Sequence, residues 1–403
     1  MISQIRLINY KRFRCEKILL EPITIFIGPN GAGKSTIASA LHVMATIIRL
    51  GLRSAFPNGF FSFDHLRSYD ADEFGYKDAP IGLGISGRIS TFEFDYDLVF
   101  TEDANSLSGY FINYEGLKIE DPSFNCHYST GKLPQLSFEL PTKEGSQWIN
   151  DFETKPQRDS LFSKLGEIQI EGELYTRLKA IRSYMQRMTK YQFSPSVARM
   201  GHNQYDGSGK QPFLKNDGVN LAEVVQYLQE EQKGLLQQFE KSIMTYAEGG
   251  STIVDIGVGV YEEKVFLNFY EERKDKRTFE IRGPLLADGY WVFASFACLE
   301  ACQTIPSIAF FEEPESYLHP HKLGLLFDIF EKMSKRAKDP CQVLVSSHSP
   351  YFLDFFKKIP RSIILLSKGK HKRLTDIADY EKILALYTLG EAWYANVFNW
   401  GNP

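Results

Sequence analysis

The sequence predicts an α/β fold: a mixed and parallel sheet with flanking helices, an antiparallel β subdomain and a helical insertion. Three observations predict it. Ile23–Ile27 is an apolar, β-rich run that leads through a glycine loop into Thr36–Leu50, which is apolar at helical spacing and free of Gly and Pro. Between Ile89 and Leu140, short alternating stretches separated by turn residues read as antiparallel strands. From Asp288 to Leu366, helical patterns alternate with buried apolar runs, as parallel strands joined by helices require.

Taken in order, Gln4–Ile8 and Lys17–Leu20 read as strands, followed by the strand, loop and helix at 23–50. A loop rich in Phe, Gly, Asp and Ser spans Gly51–Pro80. The alternating stretches are Ile89–Phe100, Ser108–Tyr114 and Gln135–Leu140. Trp148–Met188 turns helical and charged, Phe193-Ser194-Pro195 breaks that pattern, and His202–Gln211 is a polar loop. Asn220–Tyr246 has long helical periodicity, and Thr252–Phe269 and Arg277–Ile281 return to strand. The remaining elements are a helix from Asp288 to Ala301, strand Ser307–Phe311, helix His321–Lys335, strand Gln342–Ser346, helix Pro350–Lys357 and strand Ser362–Leu366. The expected division is 1–145, 146–250 as the mainly helical insertion, and 251–403; no internal repeat or low-complexity segment interrupts it.

With 403 residues the chain is too long for one ordinary core. Hydrophobic residues make up 43% and charged residues 24%, the balance of a water-soluble globular protein, and the net charge of −4 argues against an all-round basic surface. No run of about 18 apolar residues is present, so no membrane span is expected. The N-terminus alternates and carries charge early, unlike a signal peptide. Cys15, Cys126, Cys298, Cys302 and Cys341 form no C-x-x-C pair, and no His set completes a zinc site with Cys298 and Cys302. Cys298 and Cys302 are expected as buried small apolar residues, and an odd, scattered set fits a reducing cytoplasm.

Gly28-Pro29-Asn30-Gly31-Ala32-Gly33-Lys34-Ser35 fills the phosphate-binding pattern G-x-x-x-x-G-K-[ST], and it sits between a strand and a helix as that motif must. Glycines let successive N–H groups converge on phosphate oxygens, and the helix N-terminus adds partial positive charge there. Asn30, Gly31, Gly33, Lys34, Ser35 and Thr36 are therefore candidate nucleotide-binding residues, with Lys34 on the β- and γ-phosphates and Ser35 on Mg²⁺.

Two further strand ends carry polar residues. Ile308-Ala309-Phe310-Phe311 delivers Glu312 and Glu313 to the carboxyl edge of the sheet, where open α/β sheets bind ligands. Glu312 would hold Mg²⁺ and Glu313 would polarise an attacking water. Val343-Leu344-Val345 leads into Ser346-Ser347-His348-Ser349-Pro350, which places His348 to contact a γ-phosphate.

In this order the motifs resemble the ABC-type ATPase heads of the SMC, RecF and OLD class. Glu312-Glu313-Pro314-Glu315 with Leu318-His319-Pro320 is similar to the Walker B and D-loop of OLD-like, phage-defence ATPases, and Ser346–Pro350 to their H-loop. Lys215–Ala222 also resembles a segment of these heads. The resemblance identifies Leu286-Ala287-Asp288-Gly289 as the signature segment, with Asp288 and Gly289 facing nucleotide. The family serine is replaced by Ala287, which has no hydroxyl to offer a γ-phosphate and implies slow turnover. No Q-loop glutamine is assigned; the loop with Asp64, Asp72 and Glu73 stands where that lid is expected, although solvated acids are the plainer reading.

The resemblance implies ATP and Mg²⁺ as cofactors, a cytoplasmic ATPase and a homodimer or higher homo-oligomer closing around ATP. It further implies control of a separate effector, a nuclease, in bacterial anti-phage defence. OLD proteins carry a TOPRIM nuclease after the head, and the stretch beyond the last strand is too short for one, so the nuclease is expected in a partner protein. The alternative is a RecF/SMC-like repair or maintenance ATPase that clamps DNA. Arg182, Arg187, Lys190 and Arg199 bear on that choice: a solvated face is the plain reading, a DNA or partner surface the sharper one.

Overall fold

The computed structural model describes residues 1–55, 66–68, 80–102, 110–121, 124–129, 135–142, 145–153, 160–166, 172–248, 253–273, 275–281 and 285–400. The loop acids Asp64, Asp72 and Glu73 lie outside them. The chain divides into two units, each assembled from separate stretches of sequence: Met1–Met188 with Pro360–Glu381 and Asn396–Pro403, and Thr189–Ile359 with Lys382–Ala395.

In the first unit an antiparallel sheet runs, edge to edge, through Phe13–Leu19, Ile2–Tyr10, Ile81–Ile89, Phe92–Glu102, Tyr110–Asp121, Phe124–Ser129, Gln135–Thr142 and Gly145–Glu153. Alternation sets its core face: Ile2, Ile5 and Leu7 are buried, as are Phe94, Tyr96, Leu98 and Phe100. The strand Ile23–Ile27 is buried at every position, pairs in parallel with Ile363–Ser367, and is followed by the helix Lys34–Leu50. A strand covered on both faces has no polar side, which is why its sequence is an unbroken apolar run. The helix Gly172–Gln186 packs against the helix Lys34–Leu50.

The second unit holds the parallel pair Ile308–Glu312 and Gln342–Ser346, with the short strand Met188–Tyr191 beside Ile308–Glu312. The helix Asp288–Ala301 is apolar on every side, and ten of its fourteen residues are buried. Beneath Ile308–Glu312 lies an aromatic cluster: Phe311 stacks on Phe330 at 5.0 Å and on Tyr191 at 5.5 Å, and Phe296 meets Phe311 edge-on at 5.2 Å. Such pairs add about 0.5–1.5 kcal/mol each beyond their burial, and they fix the strand that ends in the paired carboxylates.

Four departures from the sequence expectation show how pairing and turns override local pattern. Trp148–Glu153 is strand, paired to Gln135–Thr142 in a hairpin, and helix begins only at Gly172. Trp148, Ile149 and Phe152 are strand-favouring residues, and cross-strand pairing overrides the weak helical pattern. Asn220–Tyr246 is two helices, Leu221–Glu231 and Lys233–Ala247, broken at Gln232, whose φ of −141° is not helical. Thr252–Phe269 is a hairpin, turning at Glu262 and Glu263, both left-handed at φ 47° and 64°, as a two-residue primed turn demands. His202 and Asn203, expected in loop, pair with Val265 and Lys264 as a short strand.

Candidate nucleotide-binding residues and their surroundings

The glycine loop of the first unit leaves the buried strand at Gly28 and enters its helix at Lys34. Gly33 has φ +115°, and a Cβ there would stand 2.8 Å from the Phe13 ring, so neither the conformation nor the space admits a side chain. The helix has no side-chain N-cap and no acid in its first turn, which suits an anion at its N-terminus, and Thr36 N–H donates to the Gly33 carbonyl at 3.1 Å. Lys34 is buried, and its ammonium donates to the carbonyls of Gly28 at 2.7 Å and Pro29 at 3.1 Å. The side chain is thus held over the same loop that would cradle phosphate. Asn30, Gly31 and Ser35 are exposed, while Thr36 is buried.

One neighbour of this loop escaped the sequence reading. Arg12 is exposed in the turn between the first two strands, and its guanidinium lies 3.4 Å from where a Cβ of Gly31 would be. The only local signal was the basic pair Lys11-Arg12 in a tight turn, which matches no spacing motif.

In the second unit the parallel register sets Glu312 beside Ser346, so the two polar strand ends emerge together. Glu312 is 13% exposed; its Oε2 lies 2.6 Å from the Lys190 ammonium. Its Oε1 is buried with no hydrogen-bond partner among the described residues. An orphaned carboxylate oxygen of this kind is costly unless a cation or its water completes it, so the site fits the Mg²⁺ that the motif implies.

Glu313 adopts a left-handed φ of 44°, donates its N–H to the Ser346 carbonyl at 2.9 Å, and its own carbonyl accepts from Ser316 N and Oγ. That turn sends its side chain outward, 54% exposed, with Oε1 3.9 Å from His348 Nε2. That distance is too long for a hydrogen bond, and the two groups form an ion pair only when the imidazole is protonated. The next acid, Glu315, turns inward: burial raises its pKa, opposed by the hydrogen bond from the Ser347 hydroxyl. Ser347 Oγ also accepts from Ser349 N at 3.0 Å, and Ser349 caps the helix Pro350–Leu353. Glu315, which the sequence reading assigned no role of its own, ties the acidic loop to the His348 loop.

The helix that follows the expected signature segment starts at Asp288, after Ala287, which supplies no side-chain cap. Asp288 is paired with Arg199. A Cβ on Gly289 would meet the Tyr246 hydroxyl at 2.6 Å and the Tyr317 carbonyl at 2.9 Å, so this glycine lets the helix start close-pack on the loop that follows Glu313. Lys190 and Arg199 are therefore ion-paired to Glu312 and Asp288 and do not belong to a solvated basic face. Sequence alone could not find these pairs, because they depend on which segment neighbours which.

The nucleotide-loop residues Asn30–Thr36 belong to the first unit, and Asp288, Gly289, Glu312, Glu313 and His348 to the second. Cys298, Cys302 and Cys341 are buried, and among the described residues no three His, Cys, Asp or Glu side chains cluster as a protein-only metal centre.

A family profile described as "AAA domain, putative AbiEii toxin, Type IV TA system" matches residues 23–354. The chain is 23% identical over 361 residues to an OLD nuclease of Thermus scotoductus, covering 86% of this chain and 59% of that protein. The chain thus spans under two thirds of that relative. Similar solved structures include an SMC head bound to the C-winged helix domain of ScpA (TM-score 0.42, 13% identity, 92% of this chain and 97% of that one). The SMC head domain from Thermotoga maritima gives a TM-score of 0.41 at 12% identity, over the same shares of the two chains.

Proposed function

We propose that this chain, which belongs to the AAA-domain family whose profile it matches, binds and hydrolyses ATP and uses that cycle to control a separate effector. What supports the reading most is the nucleotide loop: Lys34 held on the loop carbonyls at the head of a helix with an uncapped, acid-free N-terminus. In this reading Lys34 exchanges those carbonyls for the β- and γ-phosphate oxygens, and backbone N–H groups from Asn30 to Thr36 hold the rest of the phosphate chain. Ser35 in the loop and Glu312 at the acidic strand end are the residues that would each serve Mg²⁺, which would supply charge neutralisation on the phosphates. Glu313 orients and deprotonates water, with His348 beside it to contact the γ-phosphate. Asp288 and Gly289 present the signature helix to the nucleotide of a second copy. Two copies then close around ATP and reopen after hydrolysis. We assign the effector as a nuclease in anti-phage defence, on the strength of the likeness to an OLD nuclease.

Binding of ATP to the purified chain by calorimetry, with Lys34→Ala as control, tests the reading. Removing the ammonium takes away the charge that pairs with phosphate and should reduce affinity by about 100-fold or more. Equal affinity in the two proteins would refute it. Salt-sensitive DNA binding that needs ATP and no partner protein would replace the effector role with a DNA clamp.

A further inference from the structure

We propose that Lys190 is a resident counter-cation of Glu312, one that has to give way before a divalent cation can be held there, so that it sets the Mg²⁺ threshold of nucleotide binding. The proposal rests on the ATP-binding reading above and adds a control residue to it.

The geometry comes from two neighbouring strands. Met188–Tyr191 runs beside Ile308–Glu312, and the stacking of Tyr191 on Phe311, with Phe193 against Phe296 at 4.9 Å, anchors the segment that carries Lys190. Nζ reaches Glu312 Oε2 at 2.6 Å, with Lys190 33% exposed. Glu312 is a largely enclosed carboxylate, and leaving it ionised with no cation nearby would be costly. Lys190 meets that need at one oxygen, while Oε1 is buried with no hydrogen-bond partner among the described residues.

A divalent ion drawn to the same carboxylate meets the ammonium first, and two cations on one carboxylate repel each other. Mg²⁺ also gives up its waters reluctantly, which makes it a weak competitor at low concentration. The lysine stem is long and flexible, and the side chain is a third exposed, so it can swing away once Mg²⁺ arrives with nucleotide. A purely structural pair would serve the fold and leave the metal response untouched.

The test follows binding of a fluorescent ATP analogue to the full chain at pH 8 while MgCl₂ is titrated, with a parallel series in EDTA. Lys190→Gln should lower the Mg²⁺ concentration at half-saturation by roughly tenfold, the scale of a partly buried ion pair, and leave binding in EDTA unchanged. Lys190→Arg should keep the wild-type threshold. Lys190→Met retains the stem and gives the same readout should the Gln variant not fold. An unchanged or raised threshold in the uncharged variants would overturn the proposal while the ATP-binding reading stands. Weakened binding in EDTA would also overturn it, because Lys190 would then be a nucleotide contact. No nucleotide binding by the wild type at any Mg²⁺ concentration would overturn both.

Discussion

Glu312 and Glu313 are adjacent in sequence and face opposite environments. The left-handed backbone at Glu313 turns one carboxylate outward, while its neighbour stays enclosed against Lys190. Different environments assign different chemistry, and the two substitutions should separate. Glu313→Gln should retain ATP binding and slow hydrolysis by about 100-fold or more, the scale of a lost general base. Glu312→Gln should act on the Mg²⁺ requirement, raising the concentration needed for binding. Steady-state hydrolysis and Mg²⁺ titrations on the two proteins check this, and matching phenotypes would mean that the roles are misassigned. At this scale the motifs stand out because each is local: eight consecutive residues fill the phosphate-loop pattern, and an apolar run ending in two acids is a buried strand with its carboxylates at the end. The partners of Lys190, Arg199 and Arg12 were not legible. They are supplied by strands and turns distant in sequence, and no spacing rule encodes that.

Two elements illustrate how local chemistry is set by packing. The helix Asp288–Ala301, which we propose carries the signature, begins without a hydroxyl at Ala287, and Asp288 is engaged by Arg199. Ala287→Ser would place one hydrogen-bond donor where the family serine addresses phosphate, a gain of about 1.5–3 kcal/mol for a well-aligned bond to a charged group. The serine variant should raise basal ATP turnover or tighten ATP-dependent association, with the wild type the slower enzyme. Fast wild-type turnover, unchanged or reduced by the serine, would place the signature elsewhere. The second element is the strand Tyr110–Asp121, whose Glu115 is fully buried in the antiparallel sheet. Burial pushes its pKa up to about 7, against the pull of hydrogen bonds from Leu161 N–H and the Tyr96 hydroxyl. Because the folded pKa lies above the unfolded one of 4.5, the neutral acid's contribution is complete below pH 4.5 and is lost as pH rises through about 7. Glu115→Gln keeps a donor and an acceptor in place of the protonated acid. Thermal unfolding should therefore show the wild type losing stability relative to the variant between those pH values, on the order of 3 kcal/mol in total. A pH-independent difference would remove Glu115 as the titrating group.

For the whole molecule, the α/β class and the antiparallel subdomain were legible from periodicity, and the buried parallel strands fall within a residue or so of where the sequence places them. The turns inside long periodic stretches were not, because Glu262-Glu263 and Gln232 carry none of the Gly, Asn or Pro signals that mark a break. Each unit is assembled from stretches far apart in the chain, and composition shifts do not register such returns. Among the described residues no helix is long and apolar enough to cross a membrane. The functional account therefore rests on a nucleotide loop in one unit, acidic and histidine loops in the other, and a second copy of the chain to present its signature helix.

That last requirement is the most exposed part of the account, and one measurement addresses it: the mass of Glu313→Gln in solution by light scattering, with and without Mg²⁺ and ATP. Glu313→Gln should trap bound ATP because the water is no longer activated, so the account predicts that ATP doubles the mass and that adding Lys34→Ala abolishes the doubling. A mass unaffected by ATP, in a protein shown to bind it, would contradict the account.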